Sequence, residues 1–174
     1  EVTRMDMHVH SKYSTNPSQW VLKKLGCSES YTEPGFIYKR LKEKGMDLVT
    51  ITDHDRIQAC LDIAHLPGTF ISQEATAVFP EDGCKIHILT YNINEELYSE
   101  IQYLKSDIYA LARYLDKNRI AHAVAHPFFS VNGKLDYQHF EKLLLLFKTF
   151  ECNGAREESL NSGLRFILNH LCPK

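Results

Sequence analysis

The chain alternates short apolar runs of strand character with amphipathic helical stretches, and most of the strand-like runs end on a histidine or a carboxylate. Such alternation favours an α/β architecture with a mainly parallel sheet. In sheets of that kind, sites are built where the strands end. The first run, RMDMHVH, closes on His8 and His10. Side chains two apart on a strand share a face, so His8, His10 and Asp6 project together. MDLVTITDHD ends on Asp53, His54 and Asp55, TFISQEATAVF carries Glu74, and IAHAVAHPFF carries His122 and His126. CKIHILTYN carries His87 and follows TFISQEATAVF through the turn PEDG, which predicts a hairpin.

The helices carry their own punctuation. TEPGFIYKRLKEKG has Thr32 as a candidate N-cap, Pro34 in the first turn and Gly45 at the stop. NEELYSEIQYLKSDIYALARYLDKN reads as the longest helix, with Asn94 as cap and Glu95 and Glu96 suited to its dipole. DYQHFEKLLLLFK and EESLNSGLRFILNHL read as two more helices, separated by the short strand TFECNG. Residues 11–32 lack periodicity and read as a long loop, a place where specificity is often carried.

Composition narrows the function. The 174 residues suffice for one domain, taken as 1–174, with a real core. A net charge of -2 gives no basic field, so nucleic acid and membrane surfaces are disfavoured as partners, while a nucleotide remains acceptable. No apolar run approaches the roughly 18 residues of a membrane span. The five cysteines, Cys27, Cys60, Cys84, Cys152 and Cys172, are scattered and form no CxxC. They read as reduced thiols of a cytoplasmic protein.

A donor set of His, Asp and Glu without Cys suits zinc, manganese or iron rather than a thiolate structural zinc. Two metals about 3.5–4 Å apart clamp the oxygens of phosphoryl transfer, and Glu74 is the candidate bridging carboxylate. A lone strand histidine is ordinarily structural, but clustered donors call for a common cause. Asp6, Asp53 and His122 are candidates to orient ligating imidazoles. Lys12 and Arg156 are candidates for substrate phosphate, with solvated surface cations as the plain alternative. Glu151 reads either as a polar residue near the site or as part of a structural hydrogen-bond network. His65, His139 and His170 fall on expected loop or helix surfaces.

MHVHSKYS, ITDHD, the Glu of ISQE, KIHIL and HAVAHP resemble, in order and spacing, the motifs of the polymerase and histidinol phosphatase (PHP) family. The resemblance covers nearly the whole chain, and the N-terminal half is also similar to PHP domains attached to some bacterial glycosyltransferases. It implies a distorted (β/α)7 barrel, TIM-barrel-like, with up to three divalent metals at one face. By motif, His8, His10 and Glu74 would hold one metal, Glu74, His87 and His126 a second, and His54 would belong to a third. His54 and His126 would be the catalytic histidines, and metal-activated water would attack a phosphate mono- or diester.

Two departures accompany the resemblance. The family's late Asp-x-His is absent, and Thr15 and Asn16 stand where an Asp or His is common. With about six candidate strands, the barrel is expected to be incomplete at its C-terminal end, as in a domain of a longer bacterial protein with another domain downstream. Two rivals stand beside the phosphoesterase: an amidohydrolase-like enzyme cleaving a C–N bond, and a non-catalytic metal-binding or regulatory module.

Overall fold

The structure is a computed structural model that describes residues 2–15, 30–152 and 158–171. Its organising unit is a hairpin. Strand β1 (Ser72–Val78) pairs antiparallel with β2 (Lys85–Tyr91), placing Glu74 opposite Leu89 and Thr76 opposite His87. Strand β3 (Ala121–Val124) then pairs antiparallel with β2.

The expected mainly parallel sheet is therefore corrected: among the described residues the regular ladders are antiparallel. The connection between β1 and β2 is a short turn, whereas parallel neighbours need a crossover of a dozen residues or more. Parallel relations survive as three single bridges, Val49–Thr69, His54–Glu74 and Val124–Phe150.

Backbone hydrogen bonds extend the sheet on both sides. Thr52 N donates to Val9 O and Glu74 N to Asp53 O, which ties the first extended segment to residues 49–54 and these to β1. On the far side, Glu151 N donates to Val124 O. The extended order is 4–10, 47–54, β1, β2, β3, 149–151. Six extended segments are joined in this way among the described residues.

Strand alternation separates two faces. Ala75, Ala77, Ile86 and Ile88 point into the main apolar core with helices α3 (Glu95–Leu104) and α4 (Ile108–Lys117). Glu74, His87, Leu89 and Tyr91 have the opposite parity. A second core joins Ile37 and Leu41 of α1 (Pro34–Glu43) to Val49, Ile51 and the short α2 (Gln58–Ile63). Helices α5 (Tyr137–Leu146) and α6 (Glu158–Leu171) occupy the spans expected from their apolar periodicity. No helix among the described residues is long and apolar enough to cross a membrane.

Three local expectations change. The expected 94–118 helix is two helices, because the Asp107 carboxylate accepts hydrogen bonds from Tyr109 N and Ala110 N and starts α4 afresh. The N-cap of α1 is Glu33 rather than Thr32, with Pro34 at the first position. His139 is buried rather than on a helix surface: it completes a capping box with Asp136 and packs edge-on against Phe79. Asn94 caps α3 as expected, accepting from Leu97 N at 2.8 Å.

Replacing the cap, Asp107→Ala, is expected to cost about 1 kcal/mol of stability, the usual value of a lost N-cap. Urea unfolding of the two proteins measures it directly.

Candidate metal centre

Five imidazoles surround one carboxylate. Glu74 is completely buried on β1, with its side chain on the face that also carries His87. Three ring nitrogens face its Oε2: His8 Nε2 at 3.3 Å, His10 Nε2 at 3.2 Å and His54 Nδ1 at 3.0 Å. Two face its Oε1: His87 Nδ1 at 2.9 Å and His126 Nε2 at 3.0 Å. His8 Nε2 and His10 Nε2 are themselves 3.0 Å apart.

The fold supplies each of these side chains for an identifiable reason. His8 and His10 share a face by strand alternation. His54 follows the segment 49–53 and forms a parallel bridge to Glu74. His87 is diagonal to Glu74 across the hairpin, within reach of a long side chain.

His126 arrives by a backbone device. His122 and Val124 alternate onto the side that holds Phe147, and simple parity would send His126 there too. Its φ of 28° lies in the left-handed region and turns the ring toward Glu74 instead.

The same turn corrects the expectation for His122. Its Nδ1–H donates to Ile120 O at 2.7 Å, and its ring packs on Phe147, so it orients no imidazole of the cluster. Asp6 is also displaced from its expected part, because its carboxylate accepts from the His8 backbone N–H at 3.3 Å rather than from a ring. Asp53 stands 4.0 Å from His10 Nδ1 and reaches it through Ser14, whose Oγ lies 2.8 Å from His10 Nδ1 and 2.9 Å from Asp53 Oδ1. Lys12 pairs at 2.8 Å with Glu33, both partners exposed. Arg156 and Asn16 lie outside the described residues.

Two further residues support the cluster: Ser14, which the sequence does not mark, and Glu151, which reads from the sequence either as near the site or as part of a hydrogen-bond network. Ser14 is buried and gathers His10, Asp53 and the backbone of His54. Glu151 holds His8 Nδ1 at 2.8 Å with one oxygen and the His126 backbone N–H at 2.8 Å with the other. Ser14 is only four residues from His10, but a serine in an irregular segment follows no periodic pattern, and the contact between His8 and Glu151 spans 143 residues.

Among the described residues, three ligand atoms lie within metal-binding reach of one another in two combinations, His8–Glu74–His126 and His10–His54–Glu74. Sorting by the nearer Glu74 oxygen instead groups His8, His10 and His54 against His87 and His126. The second sorting follows the direct contacts, and in both Glu74 is the shared member.

No protein-family model matches the chain. Over 67 residues it is 37% identical to an uncharacterized protein of Methanocaldococcus jannaschii, a match covering 38% of this chain and 37% of that relative's length. Its backbone is similar to an amidohydrolase from Chromobacterium violaceum solved with bound sulfate and no metal, with a TM-score of 0.64 and 11% identity over 93% of this chain and 81% of that one. It is also similar to a protein from Bifidobacterium adolescentis assigned as a metal-dependent phosphoesterase, with a TM-score of 0.55 and 14% identity over 98% and 85% of the two chains. At these identities the likeness establishes a shared fold.

Electrostatics mark the centre as a place that demands positive charge. Burial by itself would raise the Glu74 carboxyl, but the imidazoles of His10, His126, His54 and His8 outweigh it and hold the group well below the usual carboxylate range. Burial opposes charge on His8, yet Glu151 and Glu74 together push it up to about 10. Burial dominates at His87, which is driven down despite Glu74.

These shifts have signs that stability measurements read. His8 sits above its ordinary 6.5, so its contribution is complete below that value and is lost as pH rises through about 10. Glu74 sits below its ordinary 4.5, so its contribution is present above that value and is lost on acidification. Metal-free protein is expected to be most stable between these limits. In urea unfolding against pH with a chelator present, His8→Gln should flatten the alkaline limb and leave a clear acid limb.

Proposed function

We propose that the chain is a metal-dependent hydrolase of PHP type that cleaves a phosphate mono- or diester. One observation carries this reading: a fully buried carboxylate with five imidazole nitrogens within 3.3 Å, three against one oxygen and two against the other. Glu74 Oε2 is buried and makes no well-aligned hydrogen bond among the described residues, although three ring nitrogens stand beside it. Several imidazole nitrogens converging on one buried carboxylate oxygen suit a cation, which can take the place of protons there.

The donor set fits divalent ions. His8, His10 and His54 would serve one ion with Glu74 Oε2, and His87 and His126 a second with Oε1, the carboxylate bridging. A third ion has less to hold it, because Thr15 is exposed and offers a poor donor. Imidazole and carboxylate without thiolate favour manganese, iron or zinc. The two buried thiols on either side of Glu74 are used elsewhere: Cys60 is engaged with backbone oxygens of Ile51 and Ser72, and Cys84 packs in the main apolar core. Bound divalent ions supply Lewis acidity, lowering the pKa of attacking water and neutralising phosphate oxygens.

The remaining tasks fall to the chain. Glu74 and Glu151 bring negative charge into a buried site, which lets the site hold cations without excess positive charge. Proton delivery to the departing oxygen would fall to His54 through Nε2, the ring nitrogen turned away from Glu74, because the corresponding Nδ1 of His126 is buried. Lys12 is held by an exposed pair with Glu33 and by the face of the Tyr13 ring, and a weak surface pair of this kind can be exchanged for a phosphate oxygen. Arg156 has the bidentate fork that suits the same anion.

A second reading is supported by the likeness to the amidohydrolase, whose TM-score is the higher of the two. Hydrolysis of a C–N bond would use the same metals on a carbonyl carbon. The site has Glu74 where such enzymes often place a modified lysine, which favours phosphorus.

The purified 174-residue chain is expected to retain about two metal equivalents after dialysis, as a bridged pair requires. It should release phosphate from a panel of phosphate mono- and diesters with manganese, iron or zinc, and Glu74→Gln should lose both metal and turnover. Ammonia release from amide substrates without phosphate release would favour the second reading. Two bound metals with neither product would favour a non-catalytic module.

A further inference from the structure

His8 and His10 each turn one ring nitrogen toward Glu74 and the other toward an oxygen that none of the metal ligands supplies. We infer that Ser14 and Glu151 are positioning residues that fix His8 and His10 as Nδ1–H tautomers, so that both Nε2 lone pairs converge on the metal centre. The inference rests on the metal-dependent reading above and adds the devices that aim two of its ligands.

Proton counting assigns the tautomer of His10. Asp53 is buried and accepts from Ser11 N at 2.7 Å, from Ser11 Oγ at 2.5 Å and from Ser14 Oγ at 2.9 Å. A hydroxyl has one proton, and Ser14 spends its own on Asp53. Toward its other neighbours Ser14 Oγ can only accept. It takes the His54 backbone N–H at 3.2 Å and His10 Nδ1 at 2.8 Å. His10 Nδ1 therefore carries the hydrogen, and Nε2, 3.2 Å from Glu74 Oε2, is left with its lone pair.

Glu151 does the same for His8. Its Oε1 accepts from His8 Nδ1–H at 2.8 Å and its Oε2 from the His126 backbone N–H at 2.8 Å. Both carboxylate oxygens are occupied by donors. His8 Nε2 then faces Glu74 and His10 Nε2 as a donor atom for a cation.

The two devices share a plan. Each grips the ring of one ligand and the backbone of another: Ser14 joins His10 to His54, and Glu151 joins His8 to His126. An imidazole whose Nδ1–H is held by an oxygen keeps its ring orientation and a more basic Nε2. Removing the acceptor frees the ring to rotate and to coordinate through the wrong nitrogen.

The test uses the 174-residue protein labelled with 15N-histidine and loaded with Zn2+. Multiple-bond 1H–15N spectra report which ring nitrogen of each histidine binds metal, and competition with a chelator reports affinity. In the wild type, His8 and His10 should bind through Nε2 and show Nδ1–H protons protected from exchange.

Ser14→Ala should weaken Zn2+ binding by about 10–100-fold, the usual cost of a lost orienting partner. It should also expose the Nδ1–H of His10 while leaving that of His8 protected. Ser14→Thr, which keeps the hydroxyl, should recover most of the affinity. Glu151→Ala, which removes both acceptor oxygens, should mirror the effect on His8.

Circular dichroism melts of the metal-free variants separate loss of an orienter from loss of the fold, and either variant alone answers the question. Coordination of His8 or His10 through Nδ1 would overturn the inference. So would a folded Ser14→Ala or Glu151→Ala protein with wild-type affinity, to within about two-fold, and intact protection. A wild-type protein that binds no Zn2+ would instead remove the metal-dependent reading itself, and the inference with it.

Discussion

The structure depends on one buried negative charge. Removing an ionised carboxylate from water is costly unless it is paired and hydrogen-bonded. Glu74 is fully buried at the middle of the sheet, and the chain compensates it with imidazoles rather than with lysine or arginine. The choice has chemical consequences. A guanidinium would have neutralised the carboxylate permanently, whereas an imidazole can give its place at the carboxylate to a metal and still remain as a ligand. His8 records the demand, since the carboxylates beside it keep its proton to about pH 10 when no metal is present.

Around that charge the sheet works as a frame. The hairpin β1–β2 fixes Glu74 and His87 relative to each other through a regular ladder, which is stiffer than any loop. Residues 47–54 add His54 on one side, and β3 leads to His126 on the other. The extended segments at the two ends of the order, 4–10 and 149–151, are then joined by side chains, His8 to Glu151. The donors thus come from five separate places in the sequence, and a shift in any pairing register would remove one of them from the cluster.

Much of this was legible in the sequence, residue by residue. Alternation put His8 and His10 on one face, the PEDG turn gave the hairpin, and Asn94 and Gly45 marked helix ends that the structure keeps. Other features were misread where a local rule met a tertiary one. The long helix broke because Asp107 found two backbone N–H groups to cap. The parity that paired His122 with His126 failed because a single left-handed φ at His126 reverses the face.

The sequence by itself determined which atoms are available: histidines and carboxylates at strand ends, no thiolate among them, and enough apolar periodicity to build a frame. Those are properties of short windows, and short windows are what periodicity and turn chemistry govern. Only the tertiary structure decided who orients whom. Ser14 beneath His10, Glu151 beneath His8 and the 4.0 Å that keeps Asp53 from touching an imidazole directly are contacts between segments up to 143 residues apart. Hydrogen bonds act over about 3 Å in space, whatever the separation along the chain. Packing of the whole chain therefore had to fix these partners.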